Sequence, residues 1–132
     1  MKVFLLDTHT FLWFVSGSPK LSNLARNRIE TDHHDIYFSI ASLWEISIKI
    51  AISKLQIRGA YETVIDDLTN NEISILPLNF SHTVCQTQLP FHHHDPFDRI
   101  LVSQAIVENL NFISCDQIFD LYLAESPVTR VW

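Results

Sequence analysis

Cysteine is nearly missing from this chain: Cys85 and Cys115 are the only two in 132 residues. They make no disulfide framework and no C-x-x-C pair, so a disulfide-stapled scaffold is excluded and a reduced, cytosolic setting is expected. Glycine is as scarce, with two residues. No stretch is low in complexity, and no linker or internal repeat breaks the chain, so residues 1–132 are expected to form one domain. Positive charge is short as well: nine basic residues against fifteen acidic give a net charge of −6. That balance argues against a broad basic face for gripping nucleic acid. It leaves room for a nucleic-acid enzyme whose acids hold metal ions, because bound cations invert the local field. Long apolar runs are absent too. The opening "MKVFLLDTHTFLWFV" is interrupted by Asp7 and His9, and no small-residue cleavage site follows. No segment reaches the roughly 18 uninterrupted apolar residues of a membrane span, and a signal peptide is not expected.

What the chain has is material for a core. Hydrophobic residues make up 47% and charged ones 18%, enough for a chain of this length to bury about two-thirds of its unfolded surface. Lys2–Leu6 reads as a buried strand and Thr8–Val15 as a helix, stopped by "SGSP". Ser22 is placed to cap a helix running to Glu30. "TDHHD" reads as a polar turn and Ile36–Ser39 as a strand. "SLWEISIKIAISK" carries one continuous apolar helix face. "AYETVIDDLTNN" is expected to be another amphipathic helix after Gly59. "EISILPL" is a strand closed by Pro77, and Phe80–Gln88 a short helix. "FDRILVSQAIVENL" is a periodic helix ending near Asn109. "NFISC", "DQIFDLYL" and "VTRVW" finish the chain as strand, helix and strand. Alternating strands and helices predict an α/β fold with a mostly parallel sheet and a functional crevice at the carboxyl ends of the strands.

Acids gather at that predicted edge. Asp7 follows the first strand, and Glu45 lies in the helix after the second. Asp95 and Asp98 open the helix before the fourth strand, and Asp116 follows that strand. Each has a plain structural explanation, since acids cap helix N-termini. "SLWE" matches the capping box, and "DPFD" places Asp95 at an N-cap, Pro96 at N1 and Asp98 at N3. Lys49 stands one turn from Glu45 as an ion-pair partner. The joint pattern asks for more. Two carboxylates ~5 Å apart repel by about 3 kcal/mol at an effective dielectric of 20, so four in one crevice need compensation. Hard divalent cations, Mg²⁺ or Mn²⁺, supply it, and such sites serve phosphodiester hydrolysis.

Four segments together resemble the PIN-domain family, in particular VapC-type toxins of type II toxin–antitoxin systems. They are "LLDTHTFLW", "SIASLWEISIKIAISKL", "HHHDPFDRILVSQA" and "FISCDQIFDLY", in the family's order over nearly the whole chain. The resemblance implies a three-layer α/β/α sandwich and a metal-dependent endoribonuclease. It also implies a homodimer inhibited by a VapB-type antitoxin that covers the active site, and structured RNA (tRNA or rRNA) as substrate. The family's acidic quartet falls on Asp7, Glu45, Asp98 and Asp116, as catalytic and metal-holding residues. Asp98 is preferred to Asp95 because it stands in register with "RILVSQA"; Asp95 shapes the helix start. His93 takes the histidine place of an H-x-DPFDR signature, and Thr8 orients Asp7 or holds a water. Lys49 and Arg99 are candidates for contact with RNA phosphate.

Three other readings compete. A haloacid-dehalogenase-type phosphatase also begins with a strand and an Asp, but "DTHT" puts His9 where a second Asp belongs. A zinc site on His92, His93 and His94 conflicts with zinc-ligand spacing, because three consecutive side chains do not converge on one ion. A non-catalytic PIN-like binding module needs the acids only as caps.

Overall fold

The computed structural model describes residues 2–31 and 34–132. Asp32 and His33, in the middle of the expected "TDHHD" turn, lie outside the described residues. Five strands pair in parallel throughout: β1 (Lys2–Leu6), β2 (His34–Ser39), β3 (Ile73–Leu76), β4 (Asn111–Ile113) and β5 (Arg130–Val131). Their order is β3-β2-β1-β4-β5. Central β1 is covered on both faces, which explains why it reads as an unbroken apolar run rather than an alternation. Phe4 and Leu6 enter one core with Phe11, Phe38, Leu43, Ile46 and Leu68. Leu5 enters the other with Leu101, Val102, Phe112 and Phe119.

The helices divide accordingly. α1 (Thr8–Ser16), α2 (Asn23–Glu30), α3 (Ile40–Ala51) and α4 (Val64–Asn70) feed the first core. α6 (Pro96–Glu108) and α7 (Ile118–Leu123) feed the second, and α5 (Phe80–Gln88) packs on α6. This is the expected α/β/α sandwich. The chain steps outward from β1 to β3 with helices on one face, then returns to the other side of β1 with helices on the opposite face. Right-handed crossovers require that switch.

Local chemistry sets the element ends. Gly17 closes α1 in the left-handed region at φ 67°, donating to Phe14 O, a conformation that favours glycine. Ser22 Oγ caps α2 through Ala25 N at 3.0 Å. α3 starts earlier than "SLWE" suggests. Ser39 is its cap, accepting from Ala41 N at 3.0 Å and donating to Gln104 Oε1 at 2.6 Å. Ser42 is therefore freed for another role. The helix expected over residues 60–71 begins instead as a 3₁₀ turn, Tyr61–Thr63, before α4.

Candidate active site

The order β2-β1-β4 puts the reversal of strand order between β1 and β4, the place where open α/β sheets build their crevices. Asp7 sits there. Its N–H extends the β1–β4 ladder to Ile113 O at 3.0 Å. Its Oδ1 caps α1 through Thr8 N at 2.8 Å, and its Oδ2 accepts from Ser114 Oγ at 2.7 Å. Ser114 Oγ in turn accepts from Asp116 N at 3.1 Å, tying the loop after β4 to the same aspartate.

A crevice of about 670 Å³ opens over this point. Asp7, Thr8, Glu45, Lys49, Asp95, Asp98 and Asp116 all line it. The four predicted acids are graded from floor to rim: Asp7 and Glu45 are buried, Asp98 is half-buried and Asp116 is exposed. Glu45 Oε1 accepts from Thr8 Oγ1 at 2.8 Å, and Thr8 Oγ1 shares a second hydrogen bond with Ser42 Oγ at 2.9 Å. Glu45 Oε2 takes Lys49 Nζ at 2.8 Å. Asp98 Oδ2 meets His93 Nε2 at 3.1 Å. Asp95 is the cap of α6, accepting from Phe97 N and Asp98 N at 2.9 and 3.2 Å. Asp116 Oδ1 accepts from Ile118 N at 3.1 Å.

Electrostatics mark the centre of the crevice. Burial raises the Asp7 carboxyl above the usual carboxylate range, against hydrogen bonds from Ser114 and Thr8 that favour its charge. Asp98 is pushed up to about 7, first by burial and then by the negative charge of Asp7. Lys49 is raised by its bond to Glu45. Glu45 has its cation in Lys49, but Asp7 and Asp98 are under-compensated, which is the condition a hard cation relieves. Among the described residues, no three His, Cys, Asp or Glu side chains stand together as a ready-made coordination shell. Mg²⁺ does not need one, because it keeps several waters and is commonly held through one or two carboxylates. Oxygen donors gathered in one crevice fit such an ion, and Asp7, Glu45, Asp98 and Asp116 are the residues that would hold it.

Arg99 goes elsewhere, and the expectation that it touches RNA is corrected. Successive helix residues diverge by about 100°, so the neighbour of Asp98 points away from the crevice. The Arg99 side chain is buried. Nη1 donates to Pro90 O at 2.8 Å, and Nη2 to Gln86 O and Leu89 O at 3.2 and 3.3 Å. The three histidines also part company. His92 packs edge-on to Tyr122, His94 stacks on Phe91, and only His93 faces Asp98.

Ser42, Ser114 and Tyr122 escaped the sequence reading. The first was absorbed into a capping box. A signal for Ser114 was available: it stands two residues before Asp116 at a strand end, a common place for a hydroxyl that orients acids. Trp13 and Cys115 also line the crevice, with no signal of their own in the sequence.

A parallel α/β sandwich with an acidic crevice at its strand-order switch is the architecture expected from the four sequence segments. The chain belongs to the PIN-domain family, whose model matches residues 4–122. PIN domains are generally nucleases, and generally use divalent metals. No curated protein matches the sequence significantly. Among solved structures, the chain is similar to VapBC2 from Rickettsia felis bound to a promoter DNA fragment, with TM-score 0.69 at 16% identity over 98% of this chain and 97% of that one. It is similar to FitAcB from Neisseria gonorrhoeae, with TM-score 0.58 at 17% identity over 98% and 96%. FitAB bound to an IR36 DNA fragment matches with TM-score 0.60 at 15% identity over 97% and 93%. At these identities the likeness is one of fold.

Proposed function

We propose that residues 1–132 form a single PIN-like ribonuclease domain, a metal-dependent endoribonuclease that acts as the toxin of a toxin–antitoxin pair. The observation that carries this reading is the convergence of Asp7, Glu45, Asp98 and Asp116 in one crevice at the switch point. The similarity in fold to VapBC and FitAB components supports the toxin role. It also supports an antitoxin partner; a VapB-type segment covering the crevice and a homodimer are part of the same proposal, from the family resemblance. Cytoplasmic residence follows from the same role; among the described residues, no helix is long and apolar enough to cross a membrane.

A bound Mg²⁺ or Mn²⁺ supplies charge neutralisation at phosphate and a more acidic water. The chain's own residues do the rest. Asp7 is fixed by Ser114 and by the α1 N-terminus, so its oxygens hold their positions without a ligand. Thr8 steadies Glu45 from one side and Lys49 from the other. Lys49 lines the crevice as a cation able to meet a phosphate. Single-stranded RNA in a loop of tRNA or rRNA exposes the phosphates such a site needs.

The test is Asp98→Asn. Cleavage of single-stranded RNA in Mg²⁺ is expected to fall by about a hundredfold or more, with metal-free stability unchanged or raised. Because Asp95 holds the cap, a purely structural Asp98 predicts no such asymmetry. A folded Asn variant with full activity would refute the assignment. Growth arrest on expression, relieved by a co-expressed partner, tests the toxin role.

A further inference from the structure

The H-x-DPFDR segment contains more order than a loop at a crevice mouth needs, and Tyr122 is its organiser. Tyr122 is buried on α7, below His92–Asp95. Its hydroxyl lies 3.3 Å from Arg99 Nη1, 3.2 Å from His93 N, 2.9 Å from His93 Nδ1 and 3.2 Å from His93 O. A phenol has one proton and two lone pairs. A guanidinium and a backbone N–H only donate, so Arg99 and His93 N fill both lone pairs. A proton on His93 Nδ1 would then face a hydroxyl with nothing left to accept it. Nδ1 is therefore the nitrogen the geometry leaves bare; the one phenol proton has two acceptors in reach, Nδ1 at 2.9 Å and His93 O at 3.2 Å. A neutral imidazole bare at one nitrogen carries its proton on the other. That nitrogen is Nε2, which stands 3.1 Å from Asp98 Oδ2.

We infer that Tyr122, held by the buried Arg99, sets the tautomer of His93, and that His93 is a positioning residue that ties Asp98 Oδ2 and leaves Oδ1 as the oxygen offered to the crevice. Arg99 also fixes the loop mechanically. It bonds three of the carbonyls at Gln86, Leu89 and Pro90, and its guanidinium lies 3.9 Å over the Phe91 ring. The chain thus runs from Arg99 to Tyr122 to His93 to Asp98. Ligand-orienting partners of this kind, one bond removed from the ion, are typical of metal sites. The role of Asp98 rests on the nuclease reading; the tautomer does not.

Two measurements separate those parts. The first is a long-range ¹H–¹⁵N spectrum of the metal-free chain, without RNA. It is expected to show His93 as the Nε2–H tautomer. An Nδ1–H ring, or one exchanging between forms, overturns the inference whatever the enzyme does. The second is Mn²⁺ calorimetry, again without RNA, with melting curves to confirm folding. His93→Ala and Tyr122→Phe are expected to weaken Mn²⁺ binding by about 10-fold or more. His93→Gln, whose amide N–H reaches the place of Nε2–H, should recover most of that loss. In cleavage assays kcat falls in step while KM for RNA stays level. Equal Mn²⁺ affinity in all the variants, or a Gln variant as weak as Ala, overturns the positioning role. If the wild-type chain binds no Mn²⁺ and Asp98→Asn changes nothing, the nuclease reading fails, and the positioning role with it. The spectrum then decides the tautomer on its own.

Discussion

Two charged clusters lie on either side of His93, and they are built on opposite rules. In the crevice, Asp7, Asp98, Glu45 and Asp116 crowd together, with Lys49 and His9 as the basic side chains of the lining. Beneath the loop, a single guanidinium meets three carbonyls, a phenol and an aromatic face. Of the three guanidinium nitrogens of Arg99, only Nε is left without a partner among the described residues. The hub surrounds its one charge with neutral dipoles of the fold, so it serves structure. The crevice leaves Asp7 and Asp98 under-compensated, so it waits for a ligand. The contrast teaches where to look for chemistry: in charge that the fold brings together and does not neutralise.

The sharpest way to break that contrast is at the hub. Arg99→Ala strips donors from the Gln86, Leu89 and Pro90 carbonyls and from Tyr122 while leaving a cavity. It is expected to cost about 3 kcal/mol or more in urea unfolding. A loss under about 1 kcal/mol would show that Arg99 is not the keystone described. In the crevice the sign reverses. Asp98 has its carboxyl raised to about 7 from an ordinary 3.8. The folded chain thus binds that proton more tightly than the unfolded one. Its contribution to stability is greatest below pH 3.8, falls as pH climbs to about 7, and is then level. Burial shifts Asp7 in the same direction. Asp98→Asn should therefore match wild type in urea midpoint near about pH 4 and exceed it near about pH 8, metal-free. Added Mg²⁺ should stabilise wild type and not the variant. A variant less stable at the higher pH contradicts the repulsion. The smallest effect belongs to Lys49, half-exposed and paired along one helix turn. Lys49→Gln takes the cation from the buried Glu45 but leaves an amide and Thr8 to bond it, so it is expected to cost about 1 kcal/mol. If Lys49 meets phosphate, the salt slope of RNA binding drops by about 0.7; an unchanged slope leaves it a partner of Glu45 alone.

Much of this was legible in the chain. Strand–helix alternation predicted the parallel sheet, and strand ends predicted where the acids meet. What stayed hidden depended on direction and on distance along the chain. Arg99 looked like a neighbour of Asp98 because it is next to it in sequence, yet a helix turns adjacent residues to different faces. "SLWE" looked like a cap because its letters fit, yet Ser39 had already taken that place through a bond to Gln104. Ser114 and Tyr122 act on residues that only the fold brings near: Asp7 lies 107 positions from Ser114, and His93 29 from Tyr122.

The pairing of β1 with β4 has a consequence in time. β1 finds β2 within some thirty residues, but Phe4 opposes Asn111. Closing so long a loop is slow compared with forming the local pairs. A growing chain therefore carries Asp7 for most of its synthesis without Ser114 beside it. The acidic crevice is thus among the last features of the fold to assemble. Pulsed hydrogen exchange should find β1–β2 amides protected before those of β4; the opposite order would refute this.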